Sequence, residues 1–245
     1  MTTATARAVG PRTTRSGGNP GGRSADQFVD LYWLPLGAGG HSVRFNGKVF
    51  ESIQAARSRR PRRALYHAAL EVRSRDGRFV IEMTPIPKEV VTDRGVVTEG
   101  SVGSPSLRHF RLFRYELRRW RDGVIPDVDE AVSSPVRLTD DDSAVSRLLA
   151  LVPFVPSLVW GRDERRVGEM WTSNSVVSWL IARSGLDVES VQLPHRGRAP
   201  GWDAGVAVAR LEKRDPQIDR ALAAVRVCAS RPVASPAGKA RQLET

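Results

Sequence analysis

The chain contains few residues of the kinds that cross-link a fold or bind metals. Its 245 residues include one cysteine and four histidines. One cysteine excludes an internal disulfide framework and any multi-cysteine metal site. No two histidines have ligand spacing on one element, so we expect neither a metal nor another cofactor. A single thiol also suits a reducing compartment, and we expect a cytoplasmic protein.

Long apolar runs are missing as well. Residues 1–25 are rich in Thr, Arg and Gly and hold no apolar stretch, which argues against a secretory signal. The longest apolar run, residues 148–160, is interrupted by Pro153 and Pro156. A membrane-spanning helix needs about 20 apolar residues. We therefore expect a soluble chain with no membrane span.

Lysine is scarce, whereas arginine is abundant. Lys and Arg together number 38 against 27 Asp and Glu, which gives a net charge of +11. Four arginines fall in residues 1–25 and five more in residues 57–63. Such a charge predicts attraction to nucleic acid, anionic lipid or an acidic partner. No nucleic-acid motif accompanies it, so the alternative is that arginine replaces lysine by codon bias on solvated faces.

The order of apolar and turn-forming residues predicts three regions. Residues 1–25 form a disordered basic arm, because their composition cannot bury enough apolar surface. Residues 26–212 form a single α+β domain. Residues 213–245 form a peripheral helix over 215–228 and a loose tail.

Within the domain we expect a mostly antiparallel sheet with two or three packed helices. The predicted strands are residues 28–34, 65–73, 78–83, 111–120 and 206–209, with turns at Arg75-Asp76-Gly77 and Asp122-Gly123. The predicted helices are 49–56, one from the acidic start at Thr139 to about Val152, and one from Ser173 to Gly185. Residues 88–107 read as a loop with short extended pieces. The strand 111–120 alternates, with Phe113, Tyr115 and Leu117 on one face and Arg114, Glu116 and Arg118 on the other.

Ser173 is the candidate nucleophile, because it immediately precedes an apolar, helix-like run. Acyl or amide transfer needs a nucleophile, a base and donors for the oxyanion. A helix N-terminus supplies free N–H groups and a positive dipole end. His67 near the start of strand 65–73 is the candidate base, and Glu82 on the partner strand is the group that would orient it. Glu71 is a weaker candidate, since it lies four residues along the same strand.

The segment Thr-Ser-Asn-Ser-Val at 172–176 resembles the Asn-Cys-Asn-Ser-Phe motif of PPPDE-like peptidases and the Asn-Cys-x-x-Phe motif of lecithin retinol acyltransferase-like proteins. Both families belong to the circularly permuted wing of the NlpC-type papain-like superfamily, in which the histidine strand precedes the nucleophile helix. The resemblance implies a permuted papain-like fold, with His67 at the position of the base and Ser173 at that of the cysteine.

The chain departs from that motif at three positions. Thr172 replaces the leading Asn, Val176 replaces Phe, and Ser173 replaces the cysteine. Serine needs stronger activation than cysteine, so a weakened or lost hydrolase is favoured over a working one. Two structural alternatives remain open. Ser173 and Asn174 have the chemistry of helix N-caps, and His67 has that of a satisfied sheet residue.

Two loops, residues 160–166 and 197–203, each combine Gly, Trp, Arg and Asp. Such a mixture suits a binding cleft and predicts Arg198 and Trp202 as substrate-binding residues. Trp171 and Asn174, which lie beside Ser173, are predicted to bind substrate with them. The alternative is a rigid turn with a Trp filling the edge of the core. The other histidines, His41, His109 and His195, read as surface residues, and Cys228 lacks an organised electropositive niche.

Two functions follow. The first is a divergent, inactive or weakly active papain-like amide or acyl hydrolase with a His67/Ser173 pair, acting on or binding peptides or acyl groups. The second is a non-catalytic, arginine-rich adaptor that binds an acidic partner or nucleic acid.

Overall fold

The computed structural model describes residues 26–36, 64–86, 93–212 and 215–229. The predicted arm 1–25, the predicted helix 49–56 and the tail 230–245 lie outside the described residues.

The described ranges form seven strands and four α-helices, which confirms the predicted α+β class. The strands are β1 Phe28–Pro35, β2 Ala64–Ser74, β3 Gly77–Pro85, β4 Val96–Ser101, β5 Arg114–Arg121, β6 Val136–Thr139 and β7 Gly197–Arg198. The helices are α1 Asp142–Leu151, α2 Ser173–Ser184, α3 Trp202–Leu211 and α4 Pro216–Ala229.

Six strands form one antiparallel sheet in the order β4-β5-β3-β2-β1-β6. The short β7 pairs in parallel with the first two residues of β2, Ala64 and Leu65. On the same edge, β3 pairs with β2 only from Leu70 onward. Among the described residues, 66–69 of β2 therefore have no partner strand on that side.

Local sequence explains where these elements start and stop. The β2–β3 hairpin turns at Arg75-Asp76-Gly77, where Gly77 has φ of +129°. Helix α1 begins at the N-cap Asp141, whose carboxylate accepts the backbone N–H of Ala144 at 2.7 Å. Helix α2 ends at Gly185 in the left-handed conformation, as predicted.

The sheet has two dissimilar faces. Side chains alternate along each strand, and those of Leu31, Tyr66, Leu70 and Leu117 point to the face covered by the helices, called the helix face below. That face joins α1 and α2 in the main apolar core. The opposite face, called the second face, has a small apolar cluster of Leu34, Ala69, Val80 and Ile125.

Two expectations about elements are corrected. Residues 206–209 lie within helix α3 instead of a strand, because a short apolar run fits a buried helix as well as a strand. The predicted strand 111–120 begins only at Arg114, since Arg111–Phe113 is a 3-10 turn. Strand β4 is one of the extended pieces expected within 88–107, whereas β6 has no counterpart among the predictions.

Within the described ranges, no helix has the length and apolarity required to cross a lipid bilayer.

Candidate functional site

The start of helix α2 is organised by Thr172. Thr172 is the N-cap, and its hydroxyl accepts the backbone N–H of Asn174 at 3.1 Å. Ser175 completes a capping box, because its hydroxyl accepts the backbone N–H of Thr172 at 2.9 Å. Ser173 is the first helical residue, and the capping hydrogen bonds are made by Thr172 and Ser175.

The polar side chains around Ser173 bind the loop that leads into α3. Thr172 and Asn174 both donate to the carbonyl of Pro200, at 2.7 and 2.8 Å. Ser175 donates to the carbonyl of Gly201 at 2.6 Å. A Cβ at Gly205 would lie 2.1 Å from the carbonyl oxygen of Ser175, so α3 can approach α2 this closely only with glycine there. These hydrogen bonds and the close contact at Gly205 hold helices α2 and α3 together.

Asn174 also joins the helix to the sheet. Its Nδ2 donates to the backbone carbonyl of Tyr66 at 3.0 Å, on strand β2. Its Oδ1 is buried and has no hydrogen-bond partner among the described residues. The Asn174 amide thus donates one of the hydrogen bonds that a neighbouring strand would give to β2 at this point.

Helix packing and strand alternation assign Ser173 and His67 to opposite faces of the sheet. Ser173 is 3% exposed and begins the helix that packs on the helix face. His67 lies between Tyr66 and Ala68, both in the main core, and pairs with Leu34 of the second-face cluster. Strand alternation therefore directs the imidazole to the second face. No hydrogen bond joins the two side chains within the described residues.

His67 does meet Glu82, as the strand pairing predicts. Nε2 of His67 lies 3.9 Å from Oε1 of Glu82. Burial lowers the pKa of His67 to about 4. Burial raises the pKa of Glu82 to about 7, against the attraction of Arg118 and together with the repulsion of Asp127. Near neutral pH the imidazole is uncharged and Glu82 titrates, so the two groups form no permanent ion pair.

A buried ion network lies on the same face and corrects the expectation for β5. The alternation of residues 111–120 is that of a half-buried strand, but Glu116 and Arg118 on its polar face are only 1% and 7% exposed. Arg94 binds Glu116 through two hydrogen bonds, of 2.9 and 3.2 Å, and Arg118 binds the same carboxylate. Burial alone would raise the pKa of Glu116, but the bonds from Arg94 and Arg118 outweigh burial and lower it.

The residues predicted to bind substrate are largely structural. Trp171 is 2% exposed and belongs to the main core. Trp202 is half-buried and packs against Trp33 at an interplanar angle of 48°, with ring centroids 5.1 Å apart. Arg198 lies in β7 beside Leu65. Trp202 therefore matches the alternative of a loop tryptophan that fills the edge of the core, whereas Trp171 lies in the core itself.

Sequence reasoning missed Arg94 as the partner of Glu116. Arg94 falls in a stretch read as loop, and 22 residues separate the two. No pattern in that stretch signals the pairing. No three His, Cys, Asp or Glu side chains in the described ranges cluster in the way that a metal site requires.

Comparison with models of protein families, with curated proteins and with solved structures found no match to this chain.

Proposed function

We propose that the chain is a non-catalytic binding module whose arginine-rich segments hold a polyanionic partner, an acidic protein or a nucleic acid. The observation that carries this proposal is the distribution of charge. The described ranges contain 21 arginines, no lysines and 24 Asp and Glu. The whole chain has 38 Lys and Arg against 27 acids, so the other segments hold 17 basic residues and three acidic ones.

Within those segments the basic residues are concentrated. Residues 57–63 carry five arginines, and Arg63 directly precedes Ala64, the first residue of β2. Ala64 pairs with Gly197 of β7, which lies between Arg196 and Arg198 in the sequence. The covalent link thus attaches the densest basic cluster to one end of the sheet. Guanidinium groups bind phosphate and carboxylate in a bidentate manner, which suits both kinds of polyanion.

The absence of an assembled catalytic pair supports binding over catalysis. A general base must lie within hydrogen-bond reach of the proton that it takes. His67 points to the face opposite the helix that begins at Ser173, and its nearest carboxylate is Glu82. The single cysteine suits a cytoplasmic module, and we include that location in the proposal.

The test is the salt dependence of binding to a labelled single-stranded oligonucleotide and to polyglutamate. Each phosphate contact contributes about −0.7 to the slope of log affinity against log salt for single strands. Glutamine at all five arginines of 57–63 is expected to flatten the slope by roughly 3. The matched control replaces five exposed arginines of the fold with glutamine, namely Arg162, Arg165, Arg166, Arg210 and Arg220.

The control is expected to keep the slope of the unchanged protein. Preference for one of the two probes identifies the class of partner. An affinity that does not depend on salt concentration, or an equal reduction of the slope in both five-arginine variants, would contradict the proposal.

One contact favours a second candidate, a divergent papain-like amide or acyl hydrolase or a silent binder of peptides or acyl groups. The Asn174 side chain binds the carbonyl of Tyr66, so the start of α2 lies beside the strand residue preceding His67. The permuted papain-like resemblance pairs the same two elements, the histidine strand and the nucleophile helix. A serine-directed fluorophosphonate separates the candidates. Labelling that disappears in Ser173→Ala supports the hydrolase, whereas the binding module predicts no labelling.

A further inference from the structure

A groove of about 870 Å³ lies between the sheet and helices α1 and α4. Its sheet side contains Gln27, Arg75, Phe79, Arg119 and Arg121, and helices α1 and α4 form the other side. We call this the sheet-end groove. Its volume falls within the range of small-molecule sites, about 300–1,000 Å³.

Two guanidinium groups lie near one aromatic ring in this groove. The Cζ atoms of Arg119 and Arg121 lie 5.8 and 5.9 Å from the centroid of Phe79. Arg119 has no carboxylate within 4 Å among the described residues. Arg121 approaches only Asp122, at 3.9 Å, and both of those side chains are largely exposed. The positive charge of this pair is therefore available to a ligand.

The acidic residues of the groove are mostly engaged. Asp142 binds Arg75 at 2.9 Å. Asp141 caps α1 and also accepts the hydroxyl of Ser143 at 2.5 Å. The remaining carboxylate, Asp76, is exposed at the tip of the β2–β3 turn. An anion in the groove would thus meet unused donors, with two of the three carboxylates already bound.

A buried amide adds a further donor. Gln27 is 5% exposed, and its Nε2 has no hydrogen-bond partner among the described residues. A buried donor without an acceptor is unfavourable, so a ligand oxygen that reached this Nε2 would form a stabilising hydrogen bond. Apolar side chains complete the lining with Leu149, Ala150 and Val225.

We propose that the sheet-end groove binds a phosphate monoester with an apolar or aromatic body. Two guanidinium groups beside one ring match the two charges of a phosphate monoester, and the apolar lining accepts its organic group. This site is independent of the polyanion proposal. It lies at the far end of β2 from Ala64, about 33 Å away for ten steps along a strand.

Calorimetric titration of the full chain with phenyl phosphate tests the proposal. Saturable binding is expected, with at least tenfold lower affinity for inorganic phosphate, which lacks the ring. Benzenesulfonate, which keeps the ring but carries one charge, is also expected to bind at least tenfold more weakly. No heat with phenyl phosphate at millimolar concentration, or equal affinity for the three probes, would overturn the proposal.

Three variants locate the site. Arg119→Gln with Arg121→Gln is expected to reduce the affinity for phenyl phosphate at least tenfold. Ala224→Trp, at an exposed position of α4 that lines the groove, should do the same while both guanidiniums remain. The matched control, Arg165→Gln with Arg210→Gln, removes two exposed arginines elsewhere and should leave the affinity unchanged. An unaltered affinity in both groove variants, with native circular dichroism, would refute the assignment.

Discussion

The two faces of the central sheet are buried by different means. The helix face presents Leu31, Leu70 and Leu117 to an apolar core. The second face buries charges instead, with Glu82, Glu116 and Arg118 all under 10% exposed. Apolar burial stabilises roughly in proportion to area, whereas a buried charge is tolerated only when it is paired. The helix face is therefore expected to tolerate conservative change. The second face is expected to lose stability when one member of the Arg94–Glu116–Arg118 network is removed.

The largest effect is expected at Glu116. Glu116→Leu would remove the carboxylate that Arg94 and Arg118 share, and loss of one member of a buried pair costs about 3–5 kcal/mol. Urea unfolding measures the change. The control is the triple replacement Arg94→Met, Glu116→Leu and Arg118→Met, which should recover most of the loss. If the single variant is as stable as the unchanged protein, the second face is not held by this network.

The next effect compares two leucines of one strand. Leu31 and Leu34 of β1 are both fully buried, but Leu31 belongs to the main core and Leu34 to the four-residue cluster. Leu31→Ala is expected to cost about 3–4 kcal/mol, and Leu34→Ala about 2 kcal/mol, because fewer apolar groups surround it. The free energy of unfolding gives both values. A larger loss at Leu34 would reverse the ranking of the two cores.

Glu82 makes a pH-dependent prediction. Because its folded pKa is raised from 4.5 to about 7, the unfolded chain releases the proton first, and stability is lost as pH rises from about 4.5 to about 7. Glu82→Gln should therefore stabilise the protein by about 2–3 kcal/mol at pH 8. The gain should shrink as pH falls and nearly vanish at about pH 3.5, where the carboxyl is largely protonated in both states. A gain independent of pH would show that Glu82 does not titrate in the folded protein.

His67 should give the opposite dependence of stability on pH, and a smaller change. Its folded pKa is lowered to about 4, so the unfolded chain takes up the proton first as pH falls below about 6.5. Stability from the neutral ring is then lost between about pH 6.5 and 4. His67→Gln should be more stable than the unchanged protein by about 1–2 kcal/mol at pH 5, relative to their difference at pH 8. Parallel pH profiles would contradict this assignment.

The sequence was sufficient to assign the side chains of β2 to the two faces of the sheet. It was not sufficient to predict what covers each face. Tyr66, Ala68, Leu70 and Val72 alternate with more polar positions, so His67 could have been assigned to the face away from a packed helix. The same alternation in β5 separates Tyr115 from Glu116 correctly. It does not reveal that the polar side is covered, because burial there depends on distant segments such as the one carrying Arg94. The pairing of a strand residue with a side chain in a distant segment leaves no pattern in the local sequence.

The helix boundaries were more accessible. Gly185 ended α2 as predicted, since a left-handed stop is a local property of glycine. The run 206–209 was assigned to a strand because four apolar residues do not distinguish the two periods. Its helical state follows from tertiary packing, in which Gly205 allows α3 to approach Ser175 closely. The candidate catalytic pair shares no hydrogen bond within the described residues, and correct chain order does not fix the side of a sheet on which a side chain lies.

The Asn174 amide, bonded to the Tyr66 carbonyl, has a consequence for self-association. Residues 66–69 of β2 lack a neighbouring strand on one side within the described part of the chain. Exposed strand edges recruit strands from other molecules. By occupying a carbonyl on that edge, one side chain and the loop that it holds discourage the intermolecular strand addition from which fibrils and amorphous precipitates grow.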